Sequence, residues 1–185
     1  GDTKVVEKGK GDGVFINTTG IGVITDGIER GADKIKVGDK VIVSGTLGDH
    51  GVAIMSLREN LTFETTIESD SQSLDSLVKV ITEHTPEIRC MRDPTRGGLA
   101  ATLNEIALQA DVGIQLYEDD IPVKEQVRSA CEFLGLDPLY VANEGKLIAF
   151  CPAEKADELL ATMKLHSQGA DAAIVGAVFE DANNF

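Results

Sequence analysis

Three short segments of this 185-residue chain gather side chains able to hold phosphate, metal or a mobile proton. The first is Arg92-Asp93-Pro94-Thr95-Arg96-Gly97-Gly98. Pro94 fixes its own φ and biases Asp93 toward extended backbone, and the glycine pair opens an amphipathic run, so the segment reads as a loop entering a helix. Asp93 can ligate Mg²⁺ or accept hydrogen bonds, Thr95 offers a hydroxyl, and Arg92 and Arg96 offer planar bidentate donors. Together they suit an anion held at free helix N–H groups. The same residues also read as an ordinary capped helix start with solvated arginines.

The second segment, Gly1-Asp2-Thr3-Lys4, sets a carboxylate, a hydroxyl and an ammonium at the start of a strand. Such a set can hold a metal with its phosphates, or supply a base if the lysine is desolvated; it also occurs on plain exposed strand ends. The third, Asn143-Glu144-Gly145-Lys146, enters an apolar strand, where Glu144 can serve as a general base or simply be a solvated acid in a turn. His50, His84 and His166 lack the i, i+4 partner of a zinc helix and read as structural or solvated. Cys131 and Cys151 sit in apolar surroundings and read as core, which leaves Cys90, between Arg89 and Arg92, as the thiol open to activation.

The elements that must position these residues follow from apolar spacing. Val41-Ile42-Val43-Ser44 predicts a strand, and Val52, Met55 and Leu57 a helix. Leu74, Leu77, Val78 and Ile81 predict a second helix, and Leu99, Leu103, Ile106, Ala107 and Ala110 a third. Ile114 and Leu116 mark a strand, Val123 to Leu134 a helix, Leu147 to Phe150 a buried strand, Leu159 to Met163 a helix, and Ala173 to Val178 a closing strand. The order predicts an α+β fold, a mixed β-sheet with packed helices. Upstream, Thr3–Glu7, Val14–Thr18 and Ile21–Thr25 read as short strands between glycine turns, too few to bury both faces by themselves. The turn-rich stretch from Asp26 to Asp39 is the boundary, giving residues 1–38 as the last strands of a further domain and 39–185 as a domain of their own.

A hydrophobic share of 42% supports a packed core, and a net charge of -14 argues against a nucleic-acid or anionic-membrane surface. No apolar run approaches the roughly 18 residues of a membrane span. Three scattered cysteines form neither a CxxC pair nor an even disulfide framework, so a reduced, cytoplasmic protein is expected.

Four segments taken in order, Gly1-Asp2-Thr3-Lys4-Val5-Val6, Gly45-Thr46-Leu47-Gly48-Asp49-His50-Gly51, Arg92 to Leu99 and Asn143 to Leu147, resemble the HypE family of hydrogenase maturation proteins, within the aminoimidazole ribonucleotide synthetase (PurM-like) superfamily. The Pro94-Thr95-Arg96 filling and Thr3-Lys4 after Asp2 favour that family over its superfamily relatives. The resemblance implies a PurM-like C-terminal domain preceded by the end of a nucleotide-binding domain. It also implies ATP-driven dehydration of a thiocarboxamide on a C-terminal cysteine to a thiocyanate, the source of cyanide for the iron of [NiFe]-hydrogenase. On that pattern Lys4 and Glu144 are the bases, Asp2 and Thr3 face Mg²⁺ and phosphates with Asp2 as metal ligand, and Asp93, Thr95, Arg96, Gly97, Gly98 and Asn143 line the ATP cleft. Lys4 must then lie in a cleft, because a lysine works as a base near neutral pH only when burial or nearby positive charge lowers its pKa.

The implied partners are a HypF-type carbamoyltransferase, the HypC–HypD complex and a second copy of the full-length protein. Read as a C-terminal-domain fragment without a terminal cysteine, the 185 residues are expected to be inert alone. Two other readings stay open. One is another ATP-dependent enzyme of the superfamily, of the AIR or formylglycinamidine synthetase or selenophosphate synthetase kind; the other is a non-catalytic module that docks a partner through the Arg96 loop.

Overall fold

The computed structural model describes residues 7–9, 11, 13, 16, 19–24, 28–58, 66–85 and 87–180. Ten main elements alternate along the described chain: β1 (Lys40–Val43), α1 (Asp49–Arg58), α2 (Asp75–His84), β2 (Cys90–Arg92), α3 (Gly98–Ala110), β3 (Gly113–Leu116), α4 (Glu125–Leu134), β4 (Ile148–Cys151), α5 (Ala153–Lys164) and β5 (Ala173–Phe179). All the expected elements from residue 40 onward are present. β2 is an addition, since three residues are too few to show alternation and Cys90 to Arg92 become a strand only by pairing with β4.

The five strands form one sheet in the order β2-β4-β1-β5-β3. β4 and β5 run against β1 on either side, β2 runs against β4, and β3 against β5. β1, β2 and β3 therefore point the same way but never touch. The helical crossovers between them are split by the later strands β4 and β5, which makes the sheet wholly antiparallel where a mixed one was expected. The α+β class with helices packed on a sheet is as expected.

Strand alternation sorts the core into two layers. Val41, Val43, Ile148, Phe150 and Val175 meet Leu99, Leu103 and Ile106 of α3 on one face. Ile42, Ala149 and Cys151 meet Leu77 and Ile81 of α2 and Leu159 and Met163 of α5 on the other. A smaller cluster joins Val52 of α1 to Val127, Ala130 and Cys131 of α4 and to Val141. Each helix buries the stripe its spacing foretold, except that Leu57 of α1 stands in solvent.

The expected strands at 3–7 and 14–18 fall largely outside the described residues. Residues 21–24 are described and form no strand, with Ile21 100% exposed, because among the described residues no ladder partner lies beside them.

Candidate functional site

The topology brings three loops to one end of the sheet. β1 and β2 both end there, and β4, which lies between them and runs the other way, begins there. The loops 44–48, 93–97 and 141–147 are thus neighbours although they are far apart in sequence. The ladder is prolonged into them: Ser44 N–H donates to the Leu147 carbonyl at 3.0 Å, and Leu147 N–H donates to Ser44 Oγ at 3.0 Å.

Asn143 fastens the three together. Its Oδ1 accepts from Gly48 N–H at 2.8 Å, and its Nδ2 donates to the Pro94 carbonyl at 3.0 Å and the Val141 carbonyl at 3.1 Å. The side chain is fully buried, and both amide hydrogens are used. Asn143, expected at the ATP cleft, holds the three loops in register.

The glycine pair has a similar double character. Gly97 (φ 75°) caps α3 and Gly98 (φ 65°) begins it, both in the left-handed region. A Cβ on Gly98 would overlap the carbonyl oxygen of Leu139 and come within 2.7 Å of that of Val141. The close approach at Gly98 is to the chain's own loop 139–141, a packing demand. The first turn of α3 carries no acidic side chain and no side-chain cap, so the positive end of its dipole remains available to an anion.

Asp93 and Arg96 are exposed beside that helix end and Thr95 is half-buried, its carbonyl accepting from Gly98 N–H at 3.1 Å. Arg92 turns instead to Glu105 of α3, at 3.3 Å. Glu144 is exposed, on the far side of Asn143 from this loop in sequence but joined to it through the Asn143–Pro94 contact. Asp2, Thr3 and Lys4 lie outside the described residues. The described part of the site therefore unites Asp93, Thr95, Arg96, Gly97, Gly98, Asn143 and Glu144 at one sheet end.

Four charged residues at this end were given no role by the sequence: Asp49 and Lys146, which lie within the motif segments, and Lys124 and Asp70, which lie outside them. Asp49, buried at the start of α1, accepts from Thr46 Oγ1 at 2.6 Å and pairs with Lys124 Nζ at 3.0 Å. Asp70 reaches the Glu144–Lys146 turn, its Oδ1 accepting from Glu144 N–H at 3.0 Å and its Oδ2 lying 3.5 Å from Lys146 Nζ. Burial of a carboxylate or an ammonium was the missing signal, and it becomes visible only in three dimensions.

The histidines take the structural roles expected. His50 Nδ1 meets Ser69 Oγ at 2.8 Å, His84 Nδ1 meets the Val80 carbonyl at 2.8 Å, and His166 Nδ1 accepts from Gln168 N–H at 3.2 Å. Cys90 corrects the expectation of an activated thiol: it is buried, and burial raises its pKa despite the opposing pull of Arg92. Among the described residues no group of three or more His, Cys, Asp or Glu is placed to cage a metal ion. The donor set fits a phosphate ester, with an uncapped helix end, guanidinium side chains and an exposed carboxylate able to share Mg²⁺ with it.

An antiparallel sheet covered by helices on both faces, with glycine-bearing loops gathered at one end beside an uncapped helix start, defines an α+β domain of the PurM-like class. The chain belongs to the family of AIR synthase related proteins, C-terminal domain, whose model matches residues 36–185. It is 62% identical over 185 residues to carbamoyl dehydratase HypE of Azotobacter vinelandii, covering 100% of this chain and 54% of that protein. Solved structures agree. A chain of the crystal structure of a HypE–HypF complex aligns with TM-score 0.80 and 46% identity over 82% of this chain and 50% of its own. A HypE in complex with ATP aligns with TM-score 0.78 and 46% identity over 80% and 44%. The resemblance to HypE read from four motifs is borne out, and the chain spans about half the length of the relatives it matches. No helix of the described residues is long and apolar enough to cross a membrane.

Proposed function

We propose that this chain supplies one half of an ATP-dependent carbamoyl dehydratase that converts a thiocarboxamide on a C-terminal cysteine into a thiocyanate for the iron of [NiFe]-hydrogenase. The observation that carries the reading is the 62% identity to carbamoyl dehydratase HypE along all 185 residues. Net loss of water from an S-bound C(=O)NH₂ group requires the oxygen to leave and both N–H protons to be removed. ATP, when bound with Mg²⁺, supplies the phosphoryl group that makes this oxygen a leaving group, with ADP and phosphate as by-products.

The chain's own residues take the remaining work. Arg96 and the start of α3 bind the anion, Asp93 and Asp2 offer carboxylates to the metal, and Thr95 and Thr3 offer hydroxyls. Glu144 and Lys4 accept the nitrogen protons. Asn143 with Gly97 and Gly98 keeps the wall in shape. The partners in this reading are a HypF-type carbamoyltransferase that loads the cysteine, the HypC–HypD complex that takes the cyanide, and a second copy of the full-length protein. As these residues span about half of their relatives, the 185 residues alone are expected to bind Mg·ATP weakly and to turn nothing over.

The test is mass spectrometry of the carbamoylated full-length protein with ATP. Loss of one water at the C-terminal cysteine, stopped by Glu144→Gln, supports the assignment; ATP hydrolysis without dehydration of the cysteine overturns it.

A further inference from the structure

Residues 66–73 belong to no motif, yet they lie across the Asn143–Lys146 turn. Asp70 Oδ1 accepts from Glu144 N–H at 3.0 Å, and Gln72 Nε2 donates to the Gly145 carbonyl at 3.0 Å. The backbone passes so closely that a Cβ on Gly145 would overlap the Asp70 carbonyl, so this glycine is required by contact and not by its φ. Asp70 Oδ2 faces Lys146 Nζ at 3.5 Å, with side-chain exposures of 3% and 10%, and that oxygen has no hydrogen bond among the described residues. The lysine stem in turn fills the space over Gly45, where a Cβ would come within 3.3 Å of Lys146 Cε.

A buried ion pair with one carboxylate oxygen left unbonded is a weak stabilising device, because desolvating both charges offsets their attraction. Here the pair sits directly beneath an exposed glutamate whose backbone it grips. We propose that Asp70, anchored by Lys146, is a positioning residue for Glu144, fixing the Glu144 amide and with it the direction in which the carboxylate projects. The proposal rests on the reading of Glu144 as a base. A rigid support of this kind matters because small displacements of a reacting group lower rates steeply.

The experiment uses the full-length protein and two readouts: dehydration kinetics, and amide hydrogen exchange at Glu144. Asp70→Ala is expected to lower kcat about 10–100-fold with the KM for ATP within about threefold, since it misplaces a group rather than removing a binding contact. Asp70→Asn keeps an acceptor for the Glu144 amide and restores most of kcat. Exchange at Glu144 rises about tenfold or more in Asp70→Ala and stays near the parent value in Asp70→Asn.

Unchanged kcat and unchanged exchange in Asp70→Ala, while Glu144→Gln abolishes turnover, overturns the positioning role alone. Full turnover in Glu144→Gln defeats the base assignment, and the positioning role falls with it. Should Asp70→Ala fail to fold, equal kcat in Asp70→Asn and Lys146→Met with faster Glu144 exchange in both overturns the proposal.

Discussion

The Pro94 carbonyl receives two hydrogen bonds from Asn143, one from the side-chain Nδ2 at 3.0 Å and one from the backbone N–H at 3.2 Å, across 49 residues of sequence. The same amide holds Gly48 N–H through Oδ1. One buried side chain thereby ties the loop after β1 and the loop after β2 to the loop before β4, and the site keeps its shape only while that side chain can donate and accept at once.

Asn143→Ala should destabilise the protein by about 2–4 kcal/mol, because it leaves the buried Gly48 N–H without its acceptor and removes two donors. Asn143→Asp keeps the acceptor but sets a carboxylate against two carbonyl oxygens, so its deficit should grow as the pH rises through the carboxylate range. Urea unfolding of both variants at pH 5 and pH 8 checks this. A loss below about 0.5 kcal/mol in Asn143→Ala would mean that the loops are held by other contacts.

Gly98→Ala opposes two tendencies. Helix propensity favours alanine by about 1 kcal/mol, whereas a φ of 65° and overlap with the Leu139 and Val141 carbonyls oppose it. Backbone oxygens cannot swing aside, so the substitution should cost about 2–4 kcal/mol in chemical denaturation and loosen α3 from the turn at 138–140. A stabilised Gly98→Ala would sink this account of the glycine.

The helices and four of the strands were legible because their apolar spacing is also their packing: Leu77 and Ile81, or Leu99, Leu103 and Ile106, face the sheet as their periods require. β2 was not, since a three-residue strand is defined by its neighbour and not by its own residues. The candidate site was legible as motifs but not as geometry. Asp93, Arg96 and Glu144 stood out as residue types able to do chemistry, while the tying of three loops by the Asn143 side chain had no sequence signal. The pairing of Asp70 with Lys146 offered nothing to read, because an acid and a lysine 76 positions apart become informative only when both are found buried within 3.5 Å.

A second buried ion pair can be separated from the site. Asp39, almost wholly buried ahead of β1, takes Arg89 Nε at 3.1 Å on Oδ1 and 3.0 Å on Oδ2, and also accepts from Lys36 N–H at 2.9 Å. Arg89→Met strands the carboxylate and should cost about 3–5 kcal/mol, whereas Arg89→Met with Asp39→Asn removes the stranded charge and should recover part of that loss. A double-mutant cycle read by thermal and urea unfolding decides the point; additive losses would show that the two side chains do not act as a pair.

The three thiols make the fold sensitive to alkali in a calculable direction. Burial pushes the Cys151 thiol up to about 12, with Asp39 adding to the rise and Arg89 opposing it, and burial likewise raises Cys90 and Cys131. A thiol whose folded pKa exceeds its unfolded one keeps its proton in the native state after the unfolded chain has lost it, so the unfolded chain binds fewer protons and stability falls as pH rises. For Cys151 the loss should begin near the ordinary thiol value of 9.0 and continue to about 12, approaching 1.4 kcal/mol per pH unit in the middle of that window. Lysines and tyrosines titrate there too, so the informative quantity is the difference between the parent and Cys151→Ala in urea unfolding from pH 8 to pH 10.5. The variant should start less stable and lose less with pH. Parallel curves, or native thiols that react with a disulfide reagent at pH 8 as fast as unfolded ones, would contradict the burial of these groups as neutral core residues.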